Sequence, residues 1–137
     1  MGRRIYEDGN FVWKYAFGYQ PSEQHRIYDE FNIGELEFDE EYPDCDYLTL
    51  NIKDIPALQN IINNMENFEE AKAINKDFWD KYNGCAPFDI VDKMHEEVNN
   101  MCPNLYFGMM IEKMIKYMNE SHEEDKEKTE FYFEGEL

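Results

Sequence analysis

Between Ile27 and Ile52 the chain places nine acids (Asp29, Glu30, Glu35, Glu37, Asp39, Glu40, Glu41, Asp44 and Asp46) and no lysine or arginine. Carboxylates at that density have three uses. They solvate an exposed strand and guard its edge against pairing. They ligate a hard divalent cation through oxygen. They also present negative charge to a basic surface that ordinarily holds phosphate. Glu35-Leu36-Glu37-Phe38-Asp39 alternates, so as a strand it sends Glu35, Glu37 and Asp39 to one face about 6.6–6.8 Å apart, twice the strand rise. That interval is close to the phosphate spacing along one DNA strand, in a duplex carrying one charge per ~1.7 Å. Glu35, Glu37, Asp39, Glu40, Glu41, Asp44 and Asp46 are therefore the expected partner-binding set, with Tyr42 as an aromatic anchor in the contact.

The other candidate chemistries are thinner. The acids from Asp39 to Asp46 lack the spacing and central glycine of an EF-hand loop, so no metal or other cofactor is expected. His25, His95 and His122 are isolated, and His95 has no histidine four residues on, as a zinc-protease helix requires. A Ser22/His25 nucleophile pair sits in no nucleophile elbow. Cys45, Cys85 and Cys102 are odd in number and irregular in spacing, which argues against a disulfide framework and for a reducing compartment. Cys85 and Cys102 stand at helix junctions, where a thiol pKa can fall, although burial as a small apolar residue is the commoner fate. No glycine-rich phosphate loop, GxGxxG or GxSxG is present. The expectation is a protein that is not an enzyme.

Charge narrows the partners. Thirty-one acids against thirteen bases give a formal −18 and a pI near 4.3. Such a field disfavours nucleic acid and anionic membranes and favours a strongly basic protein. Aromatic residues make up 16% of the 137 residues, which is the composition of a folded chain rather than a disordered one. One domain is expected over 1–137. Met1-Gly2-Arg3-Arg4-Ile5 leads into Glu7 and Asp8 without a long apolar run, so neither a signal peptide nor a transmembrane helix is expected. The reading is a cytoplasmic protein, of a bacterial host cell if phage-encoded.

The elements that would position these residues are legible in outline. Arg4–Glu7, a turn at Asp8-Gly9, and Phe11–Phe17 read as a hairpin whose Phe11, Trp13, Tyr15 and Phe17 share one core-facing side. Ser22 is the expected cap of a short helix that packs Ile27, Tyr28 and Phe31 and stops near Gly34. Glu35–Asp39 is a strand with Leu36 and Phe38 inward. In Asp46–Ile52, Leu48, Leu50 and Ile52 take one side and Tyr47, Thr49 and Asn51 the other. Asp54 then caps a helix with Pro56 in its first turn and Leu58, Ile61, Ile62 and Met65 as its stripe. Three more helices follow. Asn67 caps the first, which ends at Gly84, and Pro87 and Pro103 open the others. Met94, Met101, Met109, Met110, Met114 and Met118 read as core, with exposure expected only near Met118. The segment 120–130 reads as a mobile charged tail, and Phe131-Tyr132-Phe133 as a possible edge strand.

These elements give an α+β fold: an antiparallel sheet (N-terminal hairpin plus two further strands) covered by a helical C-terminal half. Residues 3–52 would be mostly sheet with one short helix, 54–119 helical, and 120–137 the acidic tail. In size, charge and absence of catalytic motifs the chain resembles the small acidic inhibitors that phages and mobile elements use against bacterial defence. Anti-CRISPR proteins that imitate DNA are among them. The resemblance implies an inhibitor that binds a basic, nucleic-acid-handling protein by imitating phosphate charge. The alternative is a small-molecule-binding domain, with a pocket between the helices and the aromatic hairpin (Trp13, Tyr15, Tyr19) and Gln20 and Ser22 as polar contacts. A small divalent-metal enzyme at the acid cluster stands third.

Overall fold

Asp8 and Gly9 take positive φ, 50° and 80°, as a two-residue hairpin turn requires. They join β1 (Arg4–Glu7) to β2 (Asn10–Lys14) in the computed structural model, which describes residues 3–14, 24–41, 45–83 and 85–136. The hairpin carries a bulge. Ile5 faces Trp13 and Tyr6 faces Phe11, which leaves Val12 as an extra residue between them. An extra residue breaks the period of two. Phe11 is consequently 59% exposed, while Val12 is buried and Trp13 packs on the core, so Phe11 and Trp13 do not share a face as the bare alternation predicts. Tyr15, Phe17, Tyr19, Gln20 and Ser22 lie outside the described residues.

Helix α1 (His25–Phe31) buries Ile27 and ends in left-handed Asn32. Of the two aromatics expected to pack, Phe31 stacks on Phe107 at 6.0 Å between centroids while remaining 42% exposed, and Tyr28 is 40% exposed. Gly34, with φ of 79°, then lets the chain turn tightly into β3 (Glu35–Phe38); a Cβ there would meet the Thr49 carbonyl oxygen at 2.6 Å. In β4 (Cys45–Asn51) burial alternates strictly, with Asp46, Leu48 and Leu50 buried. Ile52 leaves the strand for a single 3-10 turn, Ile52–Asp54, rather than extending it. The cap there belongs to Asn51, whose Oδ1 accepts from Lys53 N at 2.9 Å, while Asp54 Oδ2 accepts from Asn51 N at 2.8 Å. That reciprocal box enters α2 (Ile55–Asn63), with Pro56 in its first turn and Leu58, Ile61 and Ile62 buried.

The chain continues through α3 (Phe68–Tyr82), α4 (Phe88–Met101) and α5 (Leu105–Glu124). Asn67 takes a left-handed conformation before α3 without capping it, and its Nδ2 donates to the Met101 carbonyl at 3.2 Å instead. Left-handed Asn83 closes α3; Gly84 lies outside the described residues. Pro87 stands at the N-cap of α4, and α5 begins two residues after Pro103. On α5, Phe107, Met110, Ile111, Met114 and Met118 are buried, so Met118 is core and not the exposed end of the stripe.

The segment expected to be a mobile tail is ordered structure. Helix α5 runs to Glu124, a short turn follows, and β5 (Glu130–Glu136) pairs with β4 on one side and β1 on the other. Strand order is β2-β1-β5-β4-β3, antiparallel throughout. β5 is the middle of the sheet, not its edge. Its Phe131 and Phe133 are fully buried, and each such side chain contributes roughly 1.5–3 kcal/mol by leaving water. Glu7, nearly buried, ties this end together. Its Oε1 accepts from Tyr117 Oη at 2.7 Å and Lys128 Nζ at 2.8 Å, and its Oε2 accepts from Tyr132 N at 3.1 Å.

Between the helices, buried His95 sets its ring edge-on to Tyr106, at 5.6 Å between centroids, and the Tyr106 hydroxyl donates to Asn75. Burial lowers the His95 pKa, against a smaller upward pull from Asp92. An unfolded chain takes up a proton near pH 6.5 that the folded ring resists. Stability is therefore full above that pH and falls as pH drops below it. Urea titrations at pH 7.5 and 5.5 are expected to show this loss, and His95→Phe to reduce it. An unchanged slope in the variant would remove His95 as the cause.

Candidate functional site

The helix-facing side of the sheet is filled by Ile5, Leu48, Leu50, Phe131 and Phe133. The opposite side carries the next residues in each alternation, and no described helix packs on it. The strand register lines up a row across all five strands: Glu37 faces Tyr47, Tyr47 faces Glu134, Glu134 faces Tyr6, and Tyr6 faces Phe11. A second row holds Glu35, Thr49 and Tyr132. Tyr47 and Tyr132, diagonal neighbours, stack at 5.3 Å between centroids with 12° between planes. The strands β3, β4 and β5 contain no lysine or arginine. Among the described residues, no ion pair involves Glu35, Glu37 or Glu134, whereas acids on the helices pair with Lys72 and Lys76.

Asp39, just past β3, is held in this face. The Tyr47 hydroxyl donates to its Oδ2 at 3.0 Å, and its Oδ1 accepts from Glu41 N at 2.9 Å. The bond to Asp39, with desolvation and neighbouring negative charge added, pushes the Tyr47 phenol up to about 12. The Tyr132 pKa also rises, through desolvation first and then the negative charges of Glu37, Glu134 and Asp39. Two phenols on separate strands thus both feel the carboxylates of Asp39 and Glu134.

Of the residues singled out from sequence, Glu35, Glu37 and Asp39 come together on this face. Glu40 and Glu41 are exposed in the turn beyond β3. Tyr42 and Asp44 lie outside the described residues. Asp46 does not belong. Its parity in β4 is that of Leu48 and Leu50, and it is fully buried on the helix side. Gln24 Nε2 donates to its Oδ1 at 2.7 Å, and His25 Nδ1 lies 3.1 Å from its Oδ2. It is a structural carboxylate rather than a docking group. Sequence reasoning missed Glu134, Tyr47 and Tyr132. The alternation of Phe131 and Phe133 with Tyr132 and Glu134 was the signal for the β5 pair.

The remaining candidates stand apart from this face. Cys85 is exposed, and Cys102 is buried with its thiol pKa raised by desolvation, not lowered by the helix it precedes. Among the described residues no three of His, Cys, Asp or Glu converge as metal ligands. No described helix is long and apolar enough to cross a membrane. A groove of about 440 Å³ lies between α1, α2 and the start of α5, lined by Phe31, Asn60, Asn64, Met65, Asn104 and Phe107. It is remote in sequence from the hairpin that the small-molecule alternative invoked. Trp13 of that hairpin is partly buried and packs against the core. Compared with family models, curated proteins and solved structures, the chain matches none.

Proposed function

We propose that this protein is a non-enzymatic acidic interaction protein whose open sheet face binds and blocks a basic, nucleic-acid-handling partner. One observation carries the reading: among the described residues Glu35, Glu37 and Glu134 have no ion-pair partner, and the three adjacent strands β3, β4 and β5 hold no lysine or arginine. Uncompensated like charges on one surface repel one another and weaken the fold. A basic partner removes that repulsion on docking, and the carboxylates then occupy the lysines and arginines that otherwise hold phosphate. The size and charge resemblance to phage anti-defence inhibitors points to a bacterial defence nuclease as the kind of target.

The test is retention from a bacterial lysate on immobilised protein at low salt. The proteins retained are expected to be basic and to be released both by salt and by added duplex DNA, since both compete for the same side chains. Retention that neither salt nor DNA disturbs would overturn the mimicry.

A further inference from the structure

Elsewhere the chain itself sets cations over aromatic rings. The Arg26 guanidinium lies 4.3 Å from the centroid of Phe107, Lys72 lies over Phe68 at 5.1 Å, and Lys128 over Phe131 at 5.2 Å. On the sheet face the pattern is open. Tyr132 is 46% exposed and stacked on Tyr47, and among the described residues no cation lies over either ring. Glu37 and Glu134 flank Tyr47 in one row. With neighbouring strands 4.7–4.9 Å apart, their backbones stand about 10 Å from each other. The arrangement is a stacked aromatic platform with carboxylates nearby and, among the described residues, no cation placed upon it.

We infer that this face takes arginine in preference to lysine, a partner guanidinium lying on Tyr132 and held at its rim by Glu37 and Glu134. The inference rests on the acidic-face reading and specifies its chemistry. A guanidinium is planar and weakly hydrated, and directs five N–H donors outward in its own plane. It can therefore stack by its face and meet carboxylates by its edges at the same time. An ammonium is compact and strongly hydrated; it gains the attraction to the carboxylates without the planar stack. Both cations feel the negative face of the ring, but only the planar one fits the platform and its rim together. Charge complementarity thus selects a basic partner, and the tyrosines select which basic side chain.

Hexa-arginine and hexa-lysine carry equal charge and separate the two questions. Calorimetric titration of the whole chain at low salt is expected to show hexa-arginine binding about tenfold more tightly. Tyr132→Phe keeps the ring and is expected to keep the preference. Tyr132→Leu is expected to bring the two peptides to equal affinity while both still bind, with far-UV circular dichroism verifying the fold. Equal binding of both peptides to the wild type would overturn the arginine inference and leave the acidic face standing. Binding of neither would overturn both. A preference that survives in Tyr132→Leu would place arginine elsewhere and overturn the inference.

Discussion

Replacing Asp46 with alanine is expected to lower the unfolding free energy by about 2 kcal/mol, within the range for removing one partner of buried hydrogen bonds. It should appear as a lower urea midpoint with an unchanged slope. The carboxylate is fully buried and is met by Gln24 Nε2 at 2.7 Å and His25 Nδ1 at 3.1 Å. Alanine would remove the side-chain acceptor of both, but Gln24 Nε2 keeps the Phe133 carbonyl at 2.9 Å and the Asp46 carbonyl at 3.3 Å, and His25 is partly exposed, so the cost is that of the lost hydrogen bonds and not of a stranded charge. Asp46→Asn keeps the shape and one acceptor, so its expected cost is about 1 kcal/mol. Binding to a basic partner should be unchanged in that variant, because the side chain faces the helices. A well-folded Asp46→Asn protein that no longer binds would return Asp46 to the docking surface. Gly135 supplies an internal control. A Cβ there would stand 2.6 Å from Asp46 Oδ1 and 2.8 Å from Gln24 Nε2, so Gly135→Ala should cost less once Asp46 is already alanine.

Asp46 also marks where the sequence could be read and where it could not. Its inward direction follows from the same alternation that buries Leu48 and Leu50. Composition pulled the reading the other way, because an aspartate in a run of acids looks like surface. What makes its burial tolerable, Gln24 and His25 some twenty residues earlier, is a non-local pairing that no local pattern encodes. The helices were legible for the opposite reason. Their apolar stripes, prolines and stops are local, and Leu58, Ile61 and Ile62 or Met110 and Met114 are buried as their spacing requires. The bulge at Val12 has no such signature, and it reverses the expected partnership of Phe11 and Trp13. Likewise, Phe131 to Phe133 announce a strand, but not that it enters the middle of the sheet between β1 and β4. That insertion brings Glu134 beside Tyr47 and sets Tyr132 on its ring. Half of the candidate site was thus visible as the Glu35, Glu37 and Asp39 alternation, and the other half came from strand order.

Reversing Glu35, Glu37 and Glu134 together to lysine is expected to weaken partner binding at low salt by about a hundredfold or more, since like charges set against each other across an interface cost several kcal/mol. The same change should leave the fold intact, and stability should rise by roughly 0.5 kcal/mol as repulsion among neighbouring carboxylates is relieved. Asp39 is left out deliberately. It accepts from the Tyr47 hydroxyl, so replacing it would disturb the aromatic pair as well as the charge. Glu66, Glu96 and Glu97 are exposed on the helical side and supply the matching control. Reversing those three changes net charge by the same amount without touching the sheet. Loss of binding confined to the first variant locates the contact on the sheet face. Equal loss in both would mean that the long-range field of a −18 chain attracts the partner and no particular face receives it. No loss in either would reduce the acids to a solubility device. Opposite movements of stability and affinity in the first variant alone are what a surface kept under strain for binding should give.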